Sequence, residues 1–212
     1  MEASNLLVHP DSCIAKLFGY VHENFCFSIF TKFSLRYMDQ LLIGKPFIVE
    51  NDELRHILYP EPTYITDESR QTYHIAHLML LAAKEKEVPV IFDATNLKLE
   101  FNKEMVDRGF TWFHVFVNEQ ETKKRAKKNK DRSFSEASLD IYERMKSYTD
   151  TSKLATDLDS ILISKSSEKN VMKSFKKGYY KPYIIIGGLP FSGKSTIAKK
   201  MLKILEKQYK LK

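Results

Sequence analysis

The residues best placed to do chemistry are Gly188-Leu189-Pro190-Phe191-Ser192-Gly193-Lys194-Ser195, followed by Thr196. They fit the pattern G-x-x-x-x-G-K-[ST] in full. Glycines at 188 and 193 let the backbone curl until successive N–H groups converge on an anion. The helix starting around Ser195 and Thr196 adds its positive dipole end. Lys194 is expected to reach the β and γ phosphates of a nucleoside triphosphate, the Ser195 hydroxyl to ligate Mg²⁺, and Thr196 to touch the α phosphate. By average residue usage, a chance match in a chain of this length is about a one-in-a-hundred event. The pattern also has its required context. The β-branched strand Tyr183–Ile186 precedes it, and a helix with Ile197, Met201, Ile204 and Leu205 on one face follows it to about Tyr209. A phosphate loop needs a sheet and further acidic residues, which must come from upstream or from another chain.

Upstream, strands alternate with helices, the pattern of a parallel sheet covered on both faces. Pro46–Glu50 is a short strand, and Asp52-Glu53-Leu54-Arg55 opens a helix that Asn51 or Asp52 could cap. Thr66-Asp67-Glu68-Ser69 starts a second helix, with Thr66 as its cap. Val88–Phe92 is a continuous apolar run, as in a strand buried on both faces, and Asp93-Ala94-Thr95-Asn96 follows it. A helix at 99–108, a strand at 111–117, a basic helix from Glu119 to about Lys130, a helix at 136–148, a strand at 159–163 and a short polar helix at 164–172 complete the series. Ligands of open α/β sheets bind outside the C-terminal strand ends, where Asp52, Asp93 and the loop are all expected. Residues 1–44 carry no evident chemistry. They read as helices around Ile14–Phe18 and Phe33–Leu42, the second ending at Gly44, while Phe25, Phe27, Ile29 and Phe30 fit a strand as well.

Composition narrows the class. A hydrophobic fraction of 43% supplies a core, and no apolar run approaches the length of a membrane span. Cys13 and Cys26 match no metal or redox spacing and are expected to be buried thiols of a cytoplasmic protein. His74 and His77 lack a third ligand, and Trp112, Phe113, Phe116 and Tyr73 read as core. The net charge of +7 is concentrated between Lys123 and Arg132 and again from Lys173 onward. Such clusters are either solvated helix faces or surfaces for a polyanion.

Taken together, the loop, Val49–Arg55, Thr66–Tyr73, Val90–Leu97 and the segment Lys124-Arg125…Arg132-Ser133-Phe134-Ser135-Glu136-Ala137 resemble the small P-loop kinases related to polynucleotide kinase, also grouped as zeta-toxin-like or AAA-domain kinases. The resemblance covers about residues 45–150 and 180–212. It implies an α/β P-loop kinase domain at 45–212, with the β-loop-α unit at 180–212, and an N-terminal extension at 1–44. It implies an ATP- and Mg²⁺-dependent phosphotransferase acting on a hydroxyl. Asp52 would be the general base and Arg55 would hold the acceptor or the transferring group. Lys194 and the lid arginines Arg125 and Arg132 would neutralise charge. Asp93 would order a metal-bound water or orient Arg55, with Asn96 assisting. The leading acceptor is the 5′-hydroxyl end of RNA or DNA. The alternatives are a small-molecule kinase for a sugar, nucleoside or antibiotic, and a nucleotide-dependent switch or RNA-binding ATPase with no acceptor.

The element order departs from that family, in which the loop comes first. Circular permutation is the favoured explanation: the loop's strand stays central in the sheet while its helix comes last. A truncated tandem pair of kinase units is the competing one. Permutation implies a monomer, and the tandem reading leaves room for a domain-swapped dimer.

Overall fold

The computed structural model describes residues 12–63, 65–96, 99–128, 139–148 and 160–209. Five parallel strands form one sheet: β1 (Phe47–Glu50), β2 (Val90–Asp93), β3 (Thr111–Val115), β4 (Ile161–Ile163) and β5 (Tyr183–Gly187). Their spatial order is β1-β2-β5-β3-β4, so the strand that feeds the loop is central. In register, Asp93 stands opposite Glu50 on one side and Ile186 on the other, and His114 stands opposite Gly187.

Side chains alternate across the strands, and each face has its own core. Phe47, Val49, Val90, Phe92, Trp112 and Ile185 pack with residues of α1 (Cys13–Asn24), α4 (Asn51–Leu58), α5 (Thr66–Glu85) and α6 (Leu99–Asp107). Ile48, Ile91, Phe113, Ile184 and Ile186 pack on the other face with α9 (Glu168–Lys176) and α10 (Lys194–Gln208). Burial on both faces explains why Val88–Phe92 and Ile184–Ile186 are apolar without alternation. Ile184, Ile185 and Ile186 are each fully buried. Cutting one back to Ala would cost about 2–5 kcal/mol and loosen the base of the loop.

The N-terminal region is helical throughout its described part. α2 (Phe27–Phe33) runs through a π-helical turn (Ser34–Met38) into α3 (Asp39–Leu42), so Phe27, Ile29 and Phe30 lie on a helix, not a strand. Gly44 ends this run at φ +73°, where the Lys45 N–H donates to the Gln40 carbonyl at 2.9 Å. Ile14, Leu17, Val21, Phe33 and Tyr37 share one buried cluster with Val49 and Leu54, so these helices form a layer of the same core.

Several local expectations are corrected. Glu50 precedes α4 and Ile65 precedes α5, and neither helix has a side-chain N-cap bond. Glu68 instead turns back and accepts from the Thr63 N–H and hydroxyl. β3 stops at Val115, which leaves Phe116 48% exposed rather than in the core. Cys13 is half-buried and Cys26 is exposed at the start of the outer helix α2. α7 (Glu119–Lys128) and α8 (Leu139–Tyr148) are joined by Lys146–Glu119 at 2.5 Å and Lys123–Glu143 at 3.5 Å. These ion pairs neutralise part of the basic stretch. Among the described residues, no helix is long and apolar enough to cross a membrane.

Candidate functional site

The loop leaves the centre of the sheet at its C-terminal edge. Gly188 has φ +143° and Gly193 has φ +95°. A Cβ at Gly188 would lie 2.4 Å from the Val115 carbonyl oxygen, so only glycine lets the chain pass β3 there. Phe191 is also left-handed at φ 61°, which marks how sharply the loop turns. The Gly188 N–H donates to the Thr95 carbonyl at 3.0 Å, tying the loop to the segment after β2. Helix geometry then leaves the first N–H groups of α10 directed at the mouth of the loop.

Three of the expected site residues meet here. The Lys194 ammonium donates to the Leu189 carbonyl at 3.0 Å, folded over the loop it belongs to. Asp93, 5% exposed at the end of β2, lies near it and near the Ser195 hydroxyl. Burial pushes the Asp93 carboxyl up to about 6, with Glu50 and Asp52 adding to the rise and Lys194 and Ser195 opposing it. Burial also pushes the Lys194 ammonium below its usual range, while Asp93 and Asp52 pull it back. Asp93 and Lys194 thus offset each other's charge inside the sheet edge.

Asp52 and Arg55 lie one strand over, on α4. Their side chains are 60% and 8% exposed, and Nη1 of Arg55 approaches Oδ1 of Asp52 at 3.6 Å. Nη2 of Arg55 donates to the Ser69 hydroxyl of α5 at 3.2 Å. The guanidinium is therefore fixed by two helices while the carboxylate reaches solvent.

The structure places Arg125 on α7, against the loop. Its Nη1 donates to the carbonyls of Phe191 and Ser192 at 3.3 and 3.0 Å, and its Nε pairs with Glu121 at 2.9 Å. It grips the outer wall of the loop from α7. Arg132 and the rest of the expected lid lie outside the described residues.

A buried set lies beneath the loop; the sequence singles out Asn96 and Trp112 among it, but not Asn102 and His114. Asn96, at φ 48°, donates from Nδ2 to the Ile186 carbonyl at 2.9 Å, and Asn102 donates to the Asn96 carbonyl at 2.6 Å. The Trp112 and His114 rings meet edge-on at 5.7 Å. A Cβ at Gly187 would lie 2.8 Å from Trp112 Nε1, so indole and loop strand are in close contact. Burial lowers the His114 pKa to about 4, with Lys194 contributing. Period-2 alternation along Thr111–Val115 puts Trp112 and His114 on one face. Only the register with β5 reveals which face that is.

The oxygens of Asp93 and Ser195 fit Mg²⁺, which keeps several waters or phosphate oxygens and needs only one or two protein ligands. Among the described residues, no group of three or more His, Cys, Asp or Glu side chains could hold a metal by itself, His74 and His77 included. Comparison with protein-family models, with curated proteins and with solved structures gave no match.

Proposed function

We propose that this chain is a magnesium- and ATP-dependent phosphotransferase that moves a γ-phosphoryl group to a hydroxyl, with a polynucleotide 5′-hydroxyl as the leading acceptor. One observation carries the reading. The glycine loop, Lys194, Ser195 and Asp93 converge at the centre of the C-terminal sheet edge, and an accessible carboxylate, Asp52, stands in the first turn of α4, just past the end of β1, beside an anchored Arg55. A nucleotide switch needs the first group and has no use for the second.

Each residue has a stated task. The loop N–H groups and the start of α10 hold phosphate oxygens, and Lys194 leaves the Leu189 carbonyl for the β and γ phosphates. Ser195 and Asp93, directly or through water, hold Mg²⁺, which supplies charge neutralisation. Thr196, exposed one residue on, borders the α phosphate. Asp52 accepts the proton of the attacking hydroxyl and Arg55 orients the acceptor. Arg125 keeps the loop in shape through Phe191 and Ser192. Phosphoryl transfer rests on positioning and electrostatics, so this set suffices.

The central place of β5 supports circular permutation within this reading. Counting β5 as the first strand turns the spatial order into 2-3-1-4-5, with the loop at the point where successive strands begin to be added on the opposite side. The loop strand also pairs with β2 and β3 of its own chain, so a second kinase unit is not required.

The test is γ-labelled ATP offered with 5′-hydroxyl RNA, 5′-hydroxyl DNA and a panel of sugars, nucleosides and aminoglycosides. Label on an oligonucleotide end supports the reading. Label on a small molecule moves the acceptor class. ADP release with no labelled acceptor would replace the kinase by a switch.

A further inference from the structure

α9 and α10 run parallel on the outer face of the sheet. Lys200 pairs with Glu168 near the start of α9, and Gln208 Nε2 donates to the Lys176 carbonyl at its end. Between the helices lies a depression of about 530 Å³ lined by Lys165, Lys169, Lys200 and Lys203, with Met172 and Ile204 between them. Glu168 is the acidic residue of that lining, and it is engaged by Lys200. Lys165, Lys169 and Lys203 make no ion pair within 4 Å among the described residues. Three ammonium groups thus line one depression without a direct ion pair, and lysines outnumber the carboxylate there four to one.

α9 follows β4 and α10 follows β5, so both helices start at the C-terminal edge of the sheet, the edge from which the loop leaves. Lys200 stands about 9 Å along α10 from Lys194 at the helical rise per residue. The charge of Lys165 is felt at α7: the Glu121 carboxyl is held below its usual range chiefly by Arg125, and in small part by Lys124 and Lys165. Glu121 is the residue that braces Arg125 against the loop. Arg125 and Glu121 thus stand between the loop and the field of Lys165.

The chemistry selects the partner. Ammonium groups are point charges that suit phosphate oxygens without demanding one geometry. No arginine lines the depression, so it lacks the bidentate fork that reads bases. At the helical rise the lining residues Lys200–Ile204 and Glu168–Met172 each span about 6 Å, room for about two stacked nucleotides at about 3.4 Å each with the phosphates that flank them. Ammonium groups from both helices flank this shallow depression, which suits a phosphate strand laid between them.

We propose that the groove between α9 and α10 is a docking track for the sugar–phosphate backbone of a single-stranded nucleic acid, read without base preference, whose end is delivered to the loop. Delivery for phosphorylation rests on the proposed function above, whereas the binding itself does not.

The experiment uses the full chain and a 3′-fluorescein 5′-hydroxyl oligonucleotide, with anisotropy followed across a salt series. The variants are a triple Lys165→Gln, Lys169→Gln, Lys203→Gln and the corresponding triple Glu. Binding of a fluorescent ATP analogue reports an intact fold. Wild type is expected to bind oligonucleotides of different base composition alike, with affinity falling steeply with salt. Losing three phosphate contacts lowers the slope of log affinity against log salt by about 2, at roughly 0.7 per contact. The Gln triple should also weaken oligonucleotide binding at least tenfold at low salt, with ATP-analogue affinity unchanged. If the Glu triple loses ATP-analogue binding, the Gln triple decides. Wild type that fails to bind oligonucleotides, or binds only anionic vesicles, overturns the track. A Gln triple with unchanged affinity and slope overturns it as well. Groove-dependent binding without phosphoryl transfer to any hydroxyl would instead sink the kinase reading and leave the track standing.

Discussion

Two aspartates at the C-terminal edge of the sheet sit in opposite surroundings. Asp93 is 5% exposed and set near Ser195 and Lys194, with its carboxyl pushed up to about 6 by burial. The Asp52 side chain is 60% exposed and touches Arg55 only at 3.6 Å. The same functional group is thus buried and neutralised at the sheet centre, and open and solvated one strand away. The difference separates the two halves of the proposed reaction. The phosphate half is built in advance, with its charges already balanced inside the fold. The acceptor half is left accessible, as a group that must meet a diffusing hydroxyl has to be.

The comparison can be broken most forcefully at Lys194. Lys194→Ala should abolish measurable ATP-analogue binding and lower turnover by roughly 10³-fold, the scale of losing a preorganised transition-state contact. Turnover within tenfold of wild type would mean that the buried half is not where the triphosphate sits.

Asp93 gives the next largest effect, and its sign is fixed. Its folded pKa, about 6, lies above the ordinary 3.8, so the folded state binds the proton more tightly than the unfolded state does. That stabilisation is complete below pH 3.8 and is lost as pH rises through about 6. An Asn at 93 does not titrate. Between pH 4 and pH 7 the stability difference should therefore shift in favour of Asp93→Asn by about 2.4 kcal/mol, measured by urea unfolding at each pH. His77 and His114, both lowered to about 4, act in the opposite direction, gaining stability as pH rises, but they do so in both proteins and cancel. A flat difference across this range would show that Asp93 is not held in the buried, proton-retaining state.

Arg125 sharpens the boundary of the phosphate half. Arg125→Ala should weaken ATP-analogue binding about tenfold, the worth of roughly 1.5 kcal/mol for a charged hydrogen bond, with kcat changed less than threefold. A large fall in kcat at unchanged nucleotide affinity would return Arg125 to the transition state and make its contacts with Phe191 and Ser192 incidental. The smallest expected effect is none: turnover per chain should not change on hundredfold dilution. Loss of specific activity on dilution would mean that loop and aspartates meet between chains.

The sheet was legible because strands buried on both faces leave a strong signature. Val88–Phe92 and Tyr183–Ile186 are continuous apolar runs, and the loop's pattern fixed what followed the second. The helix starts were less legible. Asn51, Asp52 and Thr66 look like caps, yet α4 follows directly from β1, and the turn before α5 is closed by Glu68 binding Thr63. Around Phe25–Phe30, apolar spacing suits strand and helix alike, and packing decided for the helix. The contacts that shape the site were the least legible. Arg125 reaches the loop from 66 residues away, and Asn96 reaches Ile186 from 90. Such pairings depend on which strands become neighbours, and no local pattern encodes that. Trp112 and His114 needed the β3–β5 register for the same reason.

The account stands most directly on Asp52. In Asp52→Asn, the dissociation constant of an ATP analogue and the initial rate of γ-phosphoryl transfer to a 5′-hydroxyl oligonucleotide should be measured on the same preparation. The account predicts unchanged nucleotide affinity and a transfer rate lowered by about 10²–10⁴, the range for losing a general base. Transfer at the wild-type rate would contradict it.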